Sequence, residues 1–221
     1  MIHLHPAAPV AKRVLLPGDP GRALRLAQAL LESPKMFNHN RGLWGYTGTA
    51  ADGEPLTIQS TGMGGPSAAI VISELVDLGV RRMIRVGTCG ALDPALRLGE
   101  VVYASEALAA DGTSRALGAG ERVPATLGLD SPGATVVSTD LFYDDRGLEP
   151  RWAAAGAQAV EMETATLYAL AADRGFEAAA LLVVSDLLVP ERKRISAEAL
   201  EQAELRMGDA ALRGLAGQPV G

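Results

Sequence analysis

The sequence predicts an α/β fold, a three-layer arrangement of a β-sheet flanked by helices, on three observations. Short apolar runs (residues 10–16, 56–60, 82–86 and 178–184) alternate with segments of helical periodicity. Most of these runs end in a turn built from glycine, proline or aspartate. Hydrophobic residues make up 48% of the 221, enough for one compact domain over 1–221 with a substantial core.

The elements follow in order. Residues 10–16 read as a buried strand ending at Pro17-Gly18-Asp19-Pro20, and 22–31 as a helix. A strand at 56–60 runs into Gly62-Met63-Gly64-Gly65-Pro66, and a helix over 67–78 takes Ser67 as its cap. A strand at 82–86 leads into the turn Gly87-Thr88-Cys89-Gly90, and 101–104 form the next. Residues 111–135 read as a long excursion, and 136–137 begin a strand that ends near Ser138-Thr139-Asp140. A helix at 163–174, a strand at 178–184 ending at Ser185-Asp186, and a helix at 196–215 complete the chain. Ligands of open α/β sheets gather at the carboxyl ends of strands, where these glycine turns fall.

Composition excludes several classes. A net charge of −6, no basic block and few aromatics argue against nucleic acid as a partner. Apolar stretches stop well short of the ~20 residues that span a bilayer, so no membrane association is expected. The opening residues 1–6 lack the regions of a signal peptide, and the single Cys89 forms no internal disulfide; both point to the cytoplasm. Histidines only at positions 3, 5 and 39 make a zinc site improbable.

Four places carry chemistry. Arg22 follows Pro17-Gly18-Asp19-Pro20-Gly21 in the first turn of a helix, a corner suited to an oxyanion, although the same residues also make an ordinary tight turn. Arg85 lies in an apolar strand, so it needs an anionic partner, either a protein carboxylate or a ligand; Thr88 and its flanking glycines add donors. Glu161 and Glu163, two apart in a strand-like segment, face one side and could line a cleft, or could be solvated acids at a helix start. Asp186, at the end of a buried strand, is placed to deliver a proton or to cap a turn.

Together these segments resemble the trimeric and hexameric nucleoside phosphorylases, the family of bacterial purine nucleoside phosphorylase and uridine phosphorylase. The resemblance lies in residues 14–20, 40–48, 61–67, 85–91, 140–143, 160–163 and 184–186, in family order over nearly the whole chain. It implies a central mixed, partly barrel-like sheet flanked by helices. Gly18, Arg22, Arg85 and Thr88 would hold phosphate, joined by Arg41 of a neighbouring subunit. Glu163 would take the ribose hydroxyls, with Met63 and Met162 on the sugar and His3, also lent by the neighbour, at its 5′-hydroxyl. Cys89, Gly90, Phe142, Glu161 and Ser185 would surround the base, with Asp186 protonating a purine at N7. The resemblance implies no metal and no organic cofactor, inorganic phosphate as co-substrate, and a homo-oligomer with shared sites, a hexamer of three dimers.

Two departures bear on the base. The family's purine enzymes carry an arginine on the helix after the aspartate, whereas residues 196–201 have none; Arg192 and Arg194 are the candidates to replace it. Residues 64–67 and 163–167 lean towards the uridine enzymes, yet the segment 143–156 is short and lacks the glutamine with which those enzymes read uracil. A purine nucleoside is the expected substrate and uridine the alternative. A nucleosidase ranks lower, because hydrolysis has no use for three convergent arginines, and a non-catalytic nucleoside- or phosphate-binding protein, admitted by the missing helper arginine, ranks low as well.

Overall fold

A computed structural model describes residues 1–216. The elements are β1 (Arg13–Leu16), α1 (Pro20–Leu30), β2 (Leu31–Asn38), β3 (Gly45–Ala50), β4 (Pro55–Gln59), α2 (Gly65–Asp77), β5 (Arg82–Ala91) and β6 (Val101–Ala109). There follow α3 (Gly112–Ala116), β7 (Arg122–Pro124), β8 (Gly133–Ser138), α4 (Glu149–Ala154), β9 (Ala159–Glu161), α5 (Thr164–Arg174), β10 (Glu177–Leu187), β11 (Lys193–Arg194) and α6 (Ala197–Ala216).

All strands belong to one mixed sheet. β5 pairs in parallel with β10, β10 antiparallel with β6, β6 and β8 in parallel, β8 and β9 in parallel, and β9 antiparallel with β5. These five pairings close a ring, the barrel-like centre that the resemblance implied. From β5 the sheet extends outward through β1, β4, β3 and β2.

Side-chain alternation along the central strands makes the layers. On β10, Ala178, Ala180, Leu182 and Val184 pack with α2 and α5, while Ala179, Leu181 and Val183 pack with α1 and α6. β1 and β5 divide likewise: Leu16 and Met83 face one way, Leu15 and Ile84 the other. Helix α1 buries Ala23, Leu26, Ala27 and Leu30, the stripe of a helix with one wet face. Its start is fixed by Asp19, whose carboxylate accepts from the amides of Gly21 (3.1 Å) and Arg22 (2.9 Å).

Several sequence-based expectations need correction. Helix α2 begins at Gly65 with Gly64 as its cap, at φ +84°, a backbone region that favours glycine. Ser67 is therefore inside the first turn, and its hydroxyl donates to the Thr61 carbonyl at 2.6 Å. Gly87-Thr88-Cys89-Gly90 is no turn but the second half of β5, still in register with β10. A Cβ on Gly87 would stand 2.7 Å from the Arg85 guanidinium, so glycine here makes room for an arginine folded back over its own strand. β10 likewise continues past Ser185 and Asp186, with a bulge between Val184 and Asp186. The excursion at 111–135 contains α3 and β7, and β8 starts earlier than expected, at Gly133. The β2–β3 hairpin, α4 and β11 are additional elements.

Candidate active site

A cleft of about 880 Å³ opens where β1, β5 and β10 end and where α1 and α5 begin. Gly18, Arg22, Met63, Arg85, Thr88, Cys89, Gly90, Phe142, Glu161, Met162, Glu163, Ser185 and Asp186 all line it. The structure therefore gathers 13 of the 15 predicted site residues, drawn from segments across most of the chain.

One corner is cationic. Arg22 projects from the first turn of α1, whose Gly21, Arg22 and Ala23 amides are already taken by Asp19. Its Nε donates to Glu204 at 2.6 Å, and Glu204 also accepts from Arg25 at 2.7 Å. Arg85 is buried, with Nε donating to Glu161 at 3.1 Å and Nη2 paired closely with Glu163. Arg85 thus has protein carboxylates as its anionic partners, and it also lines the cleft.

The two acids differ in what surrounds them. Glu161 accepts from the Ser138 hydroxyl, from the Glu163 amide at 2.9 Å, and from the Thr164 amide at 2.9 and 3.0 Å. Both its oxygens are committed to protein donors, so it anchors the start of α5 and orients Arg85. Glu163 accepts from the Gly64 amide. Burial pushes its carboxyl above the usual range, against the opposing pull of Arg85. The acids are buried, not solvated.

The opposite end is aromatic and apolar. Phe142 and Tyr143 meet edge to face, with centroids 5.0 Å apart. The Arg192 guanidinium carbon lies 5.7 Å from the Phe142 ring centre, and its Nη2 is 3.7 Å from Asp186 Oδ1. Asp186 is buried; Oδ2 accepts from the Ser185 hydroxyl at 2.8 Å, whereas Oδ1 has no hydrogen-bond partner. An orphan buried carboxylate oxygen is costly unless a ligand or proton answers it. The bulge in β10 lets the adjacent Ser185 and Asp186 both reach the cleft, which strict alternation forbids. Cys89 lies beside them with its thiol pushed up by burial, the opposite of an activated nucleophile.

His3 and Arg41 do not reach this cleft. The His3 ring meets Glu74 at 2.9 Å, and the His3 carbonyl accepts from Asn40, the neighbour of Arg41, at 2.9 Å. Arg41, in a short 3₁₀ turn at φ +58°, is exposed. The two residues expected from a neighbouring subunit thus sit together outside their own chain's cleft.

Sequence reasoning passed over Glu204 and Ser138. Glu204 left a signal, an acid in the apolar stripe of Ala203, Met207, Ala211 and Leu215 on α6. Ser138 had none; its hydroxyl donates to Glu161 and accepts from the Ala165 amide at 2.8 Å. Arg194 pairs with Asp186 only along the β10–β11 ladder, and its side chain is exposed. Among the described residues no cluster of three or more His, Cys, Asp or Glu could hold a metal, and no helix is long and apolar enough to cross a membrane. A larger groove of about 1170 Å³ along β2, β3 and the chain's first residues is lined by Lys12, Arg13, Lys35 and Asp52; Arg13 and Asp52 pair at 2.5 Å, and nothing there is an orphan.

The sequence profile of the phosphorylase superfamily matches residues 12–131 and 121–213. The chain belongs to the phosphorylase superfamily. It is 40% identical over 193 residues to the DeoD-type purine nucleoside phosphorylase of Geobacillus kaustophilus, covering 80% of this chain and 81% of that one. To the DeoD-type enzyme of Caldanaerobacter subterraneus subsp. tengcongensis it is 39% identical over 197 residues, covering 81% and 84%. Among solved structures, the uridine phosphorylase of Vibrio fischeri superposes with a TM-score of 0.84 at 27% identity, over 95% of this chain and 93% of that one.

Proposed function

We propose that the chain is a purine nucleoside phosphorylase, converting a (deoxy)ribonucleoside and inorganic phosphate to free base and pentose 1-phosphate. The observation that carries this reading is the pairing, in one cleft, of an arginine corner with a buried aspartate whose free oxygen faces the aromatic end. The DeoD-type relatives support it.

In this reading phosphate sits on Arg22, Arg85, Thr88 and the backbone at Gly18, which line one corner of the cleft. The ribose lies across Met63 and Met162, its 2′- and 3′-hydroxyls donating to Glu163. The base stacks on Phe142, with Ser185, Cys89 and Gly90 at its edge. A phosphate oxygen attacks C1′ as the C1′–N9 bond breaks, and the electron pair of that bond goes to the base. Asp186 delivers its proton to N7, so the base leaves neutral. The cationic sugar of the transition state is stabilised by the phosphate beneath it. Arg192 then faces the carboxylate that Asp186 becomes.

Arg41 and His3 act in a neighbour's cleft, so the working unit is at least a dimer, and the resemblance favours a hexamer of three dimers. Uridine is the second reading, favoured by the close superposition on a uridine phosphorylase. Against it stands the segment 143–156, which offers no glutamine to a uracil edge.

Inosine, adenosine and uridine assayed with and without phosphate decide the matter. Purine nucleosides are expected to be cleaved only with phosphate. Cleavage that persists undiminished without phosphate refutes the phosphorylase reading, and turnover of uridine alone refutes the purine one.

A further inference from the structure

Arg192 stands at the base end of the cleft, in the segment between β10 and β11. Its side chain is 55% exposed, so protein packing alone does not hold it. Two groups bracket it: the Phe142 ring, with its centre 5.7 Å from the guanidinium carbon, and Asp186 Oδ1 at 3.7 Å from Nη2. The second distance is too long for a hydrogen bond, so that oxygen keeps its capacity free. A base stacked on Phe142 with N7 at Asp186 brings the next position of the same edge, C6, to Arg192.

The substituent at C6 then meets a group that can only donate, because a guanidinium has five N–H groups and no acceptor. On that edge a 6-oxopurine offers two adjacent acceptors, N7 and O6. A 6-aminopurine offers an acceptor and then a donor. A protonated Asp186 beside Arg192 is a donor–donor pair, which matches the first pattern and sets N–H against N–H in the second. Asp186 Oδ2, the oxygen that would accept from an amino group while Oδ1 serves N7, already accepts from the Ser185 hydroxyl at 2.8 Å.

We propose that Arg192 selects a 6-oxopurine base, its guanidinium donating to O6 while Asp186 serves N7. This rests on the purine reading above and names the class of base within it. Donation to O6 also draws charge from the leaving base, so the contact strengthens as the glycosidic bond breaks.

The test is kcat/KM for inosine and for adenosine at saturating phosphate, on the full-length chain and on R192A, R192K and R192Q. In R192A the inosine value should fall roughly tenfold and the adenosine value by less than about threefold, the scale of one hydrogen bond from a charged donor. R192K retains a donor and should keep most of the preference for inosine. R192Q can turn an acceptor to the amino group and should move the ratio furthest towards adenosine. Equal losses on both substrates, or an unchanged ratio in R192A and R192Q, overturn the proposal while leaving the phosphorylase reading intact. Failure of the unaltered enzyme to cleave either purine nucleoside with phosphate overturns both, and is seen before any variant is assayed. Arg192 is exposed, so the variants should melt with the parent, and the ratio of hypoxanthine to adenine binding by calorimetry should shift in the same direction, by less, without turnover.

Discussion

Replacing Glu204 tests whether the proposed phosphate corner is built from the far side of the molecule. Glu204 is 1% exposed and lies 182 residues from Arg22 in sequence, yet it takes the Nε of Arg22 at 2.6 Å and Nη2 of Arg25 at 2.7 Å. Glu204→Ala leaves Arg22 with the Val86 carbonyl at 3.4 Å as its remaining protein acceptor. Removing one partner of a buried ion pair costs about 3–5 kcal/mol when the other charge is stranded. Arg22 opens on the cleft and Arg25 is partly exposed, so both recover some hydration, and about 2–3 kcal/mol is the expected loss. In a chain of this length each kcal/mol moves the melting midpoint by about 2–4 °C, which gives a fall of roughly 4–12 °C.

The effect on phosphate separates position from charge. Without Glu204 the Arg22 guanidinium no longer has a fixed direction, and one misplaced charge-assisted hydrogen bond raises the phosphate KM about tenfold. Loss of a nearby negative charge acts the other way, since it strengthens the pull on an anion. Glu204→Gln keeps the volume and an acceptor for Nε but removes the charge. Its phosphate KM should therefore stay within about threefold of the parent, or fall, with a smaller loss of stability. Calorimetric melting and initial rates across a phosphate series measure both. An alanine variant that melts with the parent and keeps its phosphate KM refutes the positioning argument. A glutamine variant as impaired in phosphate KM as the alanine variant shows that charge, not direction, was what Glu204 supplied.

Two further outcomes are expected. Burial pushes the Glu74 carboxyl up, but the amides of Leu4, Ile2 and His3 and the His3 ring outweigh it and hold it down at about 2. A depressed carboxyl stabilises the fold above its unfolded value of 4.5, and that stability is lost as pH falls towards 2. The melting midpoint of the parent should thus exceed that of Glu74→Gln at pH 6 by the equivalent of up to about 3 kcal/mol, and the gap should close on acidification; a gap independent of pH refutes it. Asp186→Asn keeps the Ser185 contact but has no proton to give, so kcat should drop about 10²–10⁴-fold with little change in melting, and more for adenosine than inosine, where Arg192 can still draw charge through O6. Equal losses on the two nucleosides count against the role assigned to Asp186.

The layers were legible because apolar periodicity reports burial directly. The stripe of α1 and the apolar runs of β5 and β10 needed no tertiary information to be placed. Period-two reasoning also put Glu161 and Glu163 on one cleft. Contacts between distant residues were hidden. Glycine at 87 reads as a turn because a turn is its common use; here it admits the side chain of Arg85, and no local pattern distinguishes the two. The bulge at Ser185 is likewise set by pairing with β5, so sequence alternation could not show Ser185 and Asp186 facing the same space. β2 escaped notice because Ser33, at φ +46°, and Pro34 interrupt its alternation while β3 supplies the pairing.

On the proposed reading, the charges of the cleft also bear on why a neighbouring chain would complete it. Arg22 is backed by Glu204, and Arg85 by Glu161 and Glu163, so each guanidinium is held in direction by carboxylates behind it. That arrangement orients donors before any anion arrives, which lowers the cost of binding one. It also leaves the corner with no excess of positive charge: Arg22, Arg25 and Arg85 are matched by Glu204, Glu161 and Glu163, and the Asp19 carboxylate caps the start of α1. A phosphate dianion placed there is short of a counter-charge. Arg41 is the residue that can supply it, since it is exposed, lies outside its own cleft and shares a surface with His3 through Asn40. On the proposed reading the carboxylates that preorganise the corner are thus what makes a second subunit necessary, because the same pairs that fix the guanidiniums consume their charge.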